Sequence, residues 1–280
     1  GGASSAANPG AGGNGGFGGG GGRAGVGPAA GGNGGFGGGG AGGNGSGAAG
    51  TGGAFAGDGG AGGGGGGAGL GSAIFNDSGT VVIRNSTFNG QLAFNGIGSG
   101  GPSSGGLRQG VIFSRNGILR IFNSTISNNT SGFDVVPFGD NAVVTVELRN
   151  NIFANNLIPT RNCQIQVVGT GSVSQTGSGN LIESNGLGTP CTGVVTTVNP
   201  ALATLTLNAP GNTPTMAITN SSSAFNTADA GTSLATDQRG VARPQSGGFD
   251  IGAFEVNCAI TCPANITVPN DPNQCGAVVT

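Results

Sequence analysis

The chain has 280 residues, of which 66 are Gly and only 7% are charged, against about 25% in ordinary soluble domains. Its nine basic residues are all Arg, set against 11 acidic ones for a net charge of −2, and His, Trp and Tyr are absent. So thin a charge excludes a counterion-releasing nucleic-acid binder, the lack of His excludes His-based acid–base catalysis and His-ligated metal, and no apolar run approaches the about 18 residues of a membrane span.

Residues 1–70 hold 39 of the 66 Gly and five large apolar residues, Phe17, Val26, Phe36, Phe55 and Leu70. Such a segment cannot build a side-chain core of its own. It opens on Gly1-Gly2-Ala3-Ser4 without an initiator Met, which reads as a piece of a longer protein. Gly12-Gly13-Asn14-Gly15-Gly16-Phe17 recurs as Gly31-Gly32-Asn33-Gly34-Gly35-Phe36, and Phe55 falls one further interval of 19 residues on. Two readings follow. One is a flexible low-complexity spacer or insertion. The other is a bundle of polyproline-II-like strands, where only Gly allows close backbone approach and the periodic Phe cover one face.

Residues 71–256 are β by composition, rich in Val, Ile, Leu, Phe, Thr, Ser and Asn. Three segments share the pattern apolar-x-apolar-x-Asn-x-x-apolar: Val81 to Phe88, Leu119 to Ile126, and Val146 to Phe153. Alternation puts Val81 and Ile83, Leu119 and Ile121, and Val146 and Leu148 on one strand face. The Asn falls where the strand turns, and Phe88, Ile126 and Phe153 return to the same interior. Such units bury their apolar face only against the next copy. Stacking predicts an amide ladder over Asn85, Asn123 and Asn150. The fold expected is all-β, a right-handed parallel β-helix (solenoid) with Gly-rich excursions such as Gly96–Gly106; a β-sandwich is its rival.

Gly71-Ser72-Ala73-Ile74-Phe75-Asn76 followed by Asn85-Ser86-Thr87-Phe88 resembles the repeats of bacterial polymorphic outer-membrane-protein-like β-helix proteins, over about residues 60–156. Further on, Cys163 and Cys191 bracket Gly179-Asn180-Leu181-Ile182. They read as a disulfide, which implies an oxidising, extracytoplasmic location. Then come Asn199-Pro200-Ala201-Leu202, Gly211-Asn212-Thr213-Pro214, Ser222-Ser223-Ala224-Phe225-Asn226, Asp237-Gln238-Arg239-Gly240, Arg243-Pro244 and Phe249-Asp250-Ile251-Gly252-Ala253-Phe254-Glu255. In order, these resemble the choice-of-anchor Q domain of secreted bacterial β-helix proteins, over about 160–256, with Cys163 and Cys191 at its cysteine positions. A further Cys often present before the Asp-Gln-Arg-Gly box is replaced here by Ser233-Leu234-Ala235-Thr236.

Asp237, Arg239, Arg243, Asp250 and Glu255 form the densest charge cluster. A catalytic carboxylate pair is one reading. Cap ion pairs, among them Asp237, Arg239 and Asp250, shielding the last rung are the preferred one. Residues 257–280 read as a linker and the truncated start of a hyalin-repeat (HYR) domain, which Thr261-Cys262-Pro263 and Gln274-Cys275-Gly276 resemble; Cys258, Cys262 and Cys275 then find partners downstream.

The function expected is a secreted or cell-surface, non-catalytic, adhesin-like shaft. It needs no cofactor and no metal, its partners are extracellular surfaces or glycans, and self-association is possible, with no nucleic acid and no transmembrane span. A polysaccharide-binding or -cleaving enzyme is the alternative, for which the rungs offer Asp77, Asp134, Asp140 and Glu147 with Arg84, Arg108 and Arg115. A self-assembling filament or sheath is a third.

Overall fold

The computed structural model describes residues 10–99, 105–130, 133–155, 162–185 and 189–257. The HYR-like opening with Cys258, Cys262 and Cys275 lies outside them. Among the described residues there is no helix, and all pairings between strands are parallel. A parallel, helix-free arrangement does not suit the antiparallel sandwich considered as the rival.

After the short β1 (Gly69–Leu70), the chain makes successive circuits. The first contains β2 (Ile74–Asp77), β3 (Thr80–Arg84) and β4 (Thr87–Asn89). β5 (Arg108–Gln109), which pairs with β1, leads into β6 (Ile112–Arg115), β7 (Gly117–Phe122) and β8 (Thr125–Ser127). The third circuit is β9 (Val135–Asp140), β10 (Val143–Arg149) and β11 (Ile152–Ala154). The fourth is β12 (Gln166–Val168), β13 (Ser172–Ser178) and β14 (Asn180–Ile182), and β15 (Val194–Thr196) follows. Each circuit feeds one strand to each of three sheets, ordered β12-β9-β6-β2, β13-β10-β7-β3 and β15-β14-β11-β8-β4.

Register makes the core. Ile83, Ile121 and Leu148 are direct partners across β3, β7 and β10, as are Val81, Leu119 and Val146. Phe88, Ile126, Phe153 and Ile182 line up in the third sheet and join the same apolar cluster. Burying each such side chain is worth about 1.5–3 kcal/mol.

The first sheet is covered on its outer side by the Gly tract. Phe36 and Phe55 pack on Phe113 and Phe138, with centroid separations of 4.9–6.3 Å, and Phe17 stacks on Phe36 at 5.3 Å. The tract is closely packed on itself. Gly12, Gly15, Gly18 and Gly21 donate to the carbonyls of Ala30, Asn33, Phe36 and Gly39, and Gly31, Gly34, Gly37 and Gly40 donate onward in the same three-residue rhythm. A Cβ on Gly35 would lie 1.8 Å from the Gly16 carbonyl oxygen, so any side chain there is barred.

The third sheet is covered on its outer side by the C-terminal segment. Ile152, Ala154 and Leu181 pack against Ile218, Ala224 and Ile251. This is why β8, β11 and β14 are buried on both faces instead of alternating.

Two expectations are corrected here. Asn85, Asn123 and Asn150 do stack at matching turn positions, with φ of 46°, 43° and 56°, but their side chains do not form the amide ladder. Each points away from the stack to the C-terminal segment: Asn85 Nδ2 donates to the Thr236 carbonyl, Asn123 Oδ1 accepts from the Leu234 N–H, and Asn150 Nδ2 donates to the Asp229 carbonyl. Their common cause is backbone, since Asn tolerates the left-handed conformation. The ladder runs one residue later, where Asn180 Oδ1 accepts from the Asn151 N–H, Asn151 Oδ1 from the Ser124 N–H, and Ser124 Oγ from the Ser86 N–H.

The charge cluster is likewise not a cap on the last circuit. Residues 229–236 run back along the flank, meeting the third circuit at Asn150, the second at Asn123 and the first at Asn85. The end of the stack is covered by residues 189–193 instead. Gln175 of β13 donates to the Pro190 carbonyl and accepts from the Thr192 N–H, and the Cys163–Cys191 disulfide ties this cover to the core.

Candidate functional site

The C-terminal charge cluster is closed to any substrate. Asp237, Arg243, Asp250 and Glu255 are all buried. Arg239 pairs with Asp237 at 2.7 Å and lies over the Phe254 ring, and Arg243 pairs with Glu255 at 2.6 Å. Among the described residues no ion pair reaches the Asp250 carboxylate, which accepts instead from the Asn226 and Val256 N–H groups. Asp237 accepts from the N–H groups of Arg239, Val241 and Glu255, and Glu255 from those of Gln245 and Asp250. Every carboxylate oxygen is thus engaged. Burial pushes the Asp250 and Glu255 carboxyls above their ordinary range and pushes the Arg243 guanidinium down. The arrangement is a structural clasp.

The carboxylates of the rungs are also dispersed. Asp77 and Asp140 each bind Arg115 at 2.8 Å, and Arg115 sits 4.7 Å over the Phe36 ring, fastening the Gly tract to the first sheet. Asp134 is buried among Asn129 and Asn162. Arg108 lies on β5, away from these carboxylates in the circuit order. No cluster of three or more metal-ligating side chains occurs among the described residues.

What remains is the outer face of the second sheet. Alternation sends Thr80, Val82 and Arg84 of β3 outward, beside Ile118, Arg120 and Phe122 of β7 and Thr145, Glu147 and Arg149 of β10. β13 adds Ser174, Thr176 and Ser178 in the same rows. Glu147 bridges Arg120 at 3.2 Å and Arg149 at 2.9 Å. Arg149 also donates to Ser178 Oγ, and Arg84 lies 5.2 Å over the Phe122 ring. Thr232 and Leu234 of the C-terminal segment rise beside this row. Together with Arg84, Phe122, Glu147 and Arg149 they enclose a groove of about 280 Å³. At its rim the Asp229 carboxyl is held below its usual range by hydrogen bonds from Ser178 and Thr232.

Arg84 and Glu147 stand among the rung charges noted in the sequence, but Arg120, Phe122 and Arg149 were missed as site residues. Their signal is the x position of the repeated strand pattern: outward by alternation, and unusually charged for this chain.

No family model, curated protein or solved structure matches the chain.

Proposed function

We propose that this chain is an extracellular, adhesin-like β-helical shaft that engages partners through its second sheet and carries out no catalysis. In this reading the circuits wind as a right-handed parallel β-helix over residues 71–256, the Gly tract is a polyproline-II-like bundle laid on the first sheet, and the choice-of-anchor Q-like region, about 160–256, braces the third. Stiffness comes from stacked strands whose backbone groups pair from circuit to circuit.

One observation carries this reading. Two of the three long sheets are covered by the chain itself, and the one left open among the described residues displays Arg, Glu, Thr and Ser side chains. The disulfide fits an oxidising compartment, and no helix among the described residues is long and apolar enough to cross a membrane.

The test is attachment. Beads coated with the protein are washed over polysaccharide-coated surfaces, comparing the parent with Thr145→Trp/Thr176→Trp on the open face and Ser46→Trp on the Gly flank. Loss of attachment in the first variant alone supports the proposal. Equal attachment of all three, or release of sugar fragments from the surface, defeats it.

A further inference from the structure

Resting on that reading of the open sheet, we propose that the groove beside Arg84 binds the carboxylate-bearing sugars of an acidic polysaccharide. Charge is the first reason. Arg84, Arg120 and Arg149 share this face with Glu147 and the rim residue Asp229, leaving one positive charge in excess on a chain whose net charge is −2. Glu147 already serves two guanidinium groups, and among the described residues no carboxylate lies within 4.0 Å of the exposed Arg84. Arg84 is thus the free cation of the groove.

Its posture is the second reason. A guanidinium stacked on an aromatic ring keeps its N–H edge turned sideways, where a planar carboxylate can be held by two parallel hydrogen bonds. The Arg84 guanidinium lies over the Phe122 ring, 5.2 Å from its centre, a contact that favours such a posture. Little side-chain freedom is then lost on binding.

The rest of the wall suits a sugar. The groove, at about 280 Å³, is at the small end of ligand sites. Phe122 and Leu234 offer apolar surface for a ring's C–H face. Thr145 and its partner Ser174, one strand spacing of about 4.8 Å apart, and Thr176 beside Glu147 continue along the sheet and offer hydroxyls to a chain's hydroxyls. Glu147 and Asp229 tolerate a hydroxyl-rich chain with one carboxylate per sugar and repel one whose charges are packed as closely as those of polyphosphate.

The experiment is affinity electrophoresis of the full chain through gels holding polygalacturonate, neutral dextran or polyphosphate, with circular dichroism to confirm each variant's fold. The parent is expected to be retarded by polygalacturonate, and less so at high salt. Arg84→Gln should weaken that binding about tenfold. Glu147→Gln, which releases Arg120 and Arg149, should strengthen it about fivefold, a gain that misfolding cannot imitate. Unchanged binding by both variants overturns the proposal, as does polyphosphate binding at least as tight as polygalacturonate. Dextran binding equal to polygalacturonate, lost in Thr145→Trp/Thr176→Trp, defeats the acidic specificity and leaves the adhesive face standing. No retardation by any polymer, together with no bead attachment, defeats both.

Discussion

Asn151 carries more of this fold than the Asn beside it. Its Nδ2 donates to the Ile121 carbonyl at 2.8 Å, its Oδ1 accepts from the Ser124 N–H at 3.0 Å, and its own N–H is held by Asn180. Asn151→Ala leaves the buried Ser124 N–H without its partner, at about 1–3 kcal/mol, and removes the added bond to the Ile121 carbonyl, which keeps its place in the β7–β10 ladder, at about 1 kcal/mol. We expect a loss of about 2–4 kcal/mol in urea unfolding, seen as a lower midpoint at constant slope. Asn85→Gly is expected to cost about 1 kcal/mol or less, since glycine accepts its φ of 46° and one hydrogen bond to Thr236 is lost. A ladder at Asn85 would reverse the order of the two variants. The sequence pattern points to the wrong column for a physical reason. Asn recurs at 85, 123 and 150 because the turn demands a left-handed residue, whereas the ladder position accepts any small acceptor and reads Ser, Ser, Asn, Asn at 86, 124, 151 and 180.

Among the elements, the Gly tract behaves as a layer whose spacing is set by backbone contact. A Cβ on Gly53 would stand 1.6 Å from the Gly35 carbonyl oxygen, while one on Gly64 finds its nearest neighbour, the Gly40 carbonyl oxygen, at 3.6 Å. Gly53→Ala is expected to destabilise by about 1–3 kcal/mol or more, because the neighbouring strand must move away. Gly64→Ala is expected to be neutral or stabilising by up to about 1 kcal/mol, through the lowered entropy of the unfolded chain. Paired thermal melts check this, and equal losses would show a loose tract. The strands were legible in the alternation of Val81 with Ile83, and the Phe spacing of 19 residues was legible as a covered face. Which sheet that face covers was not, because Phe36 meets Phe113 and Phe138 only after long loops close. The direction of residues 229–236 was hidden for the same reason, and with it the wall that Thr232 and Leu234 give the groove.

At the scale of the whole molecule, the two flanking layers differ in how they respond to acid. The Gly tract holds on by aromatic packing and by the Arg115 guanidinium over the Phe36 ring, while the C-terminal flank depends on the buried clasp of Asp237, Arg239, Arg243, Asp250 and Glu255. Burial raises the Asp250 and Glu255 carboxyls above their ordinary values of 3.8 and 4.5. A carboxyl whose folded value is raised binds its proton more tightly in the fold than in the unfolded chain. It therefore contributes stability that is complete below the ordinary value and drains away as pH rises through the raised one. The clasp should thus gain stability as pH falls from neutrality toward about 4.5, where ordinary exposed carboxylates begin to titrate. Melting of the flank, followed by proteolysis between residues 199 and 257, should shift upward over that interval. Asp250→Asn removes one of the two titrating carboxyls and should flatten the rise; because the Asn226 and Val256 N–H groups each hold a different Asp250 oxygen and the amide keeps only one, the variant is also expected to melt lower at every pH, so the slope with pH is the readout. A flank that loosens steadily on acidification, in parent and variant alike, would mean that the Arg243–Glu255 ion pair outweighs the burial of its neighbours.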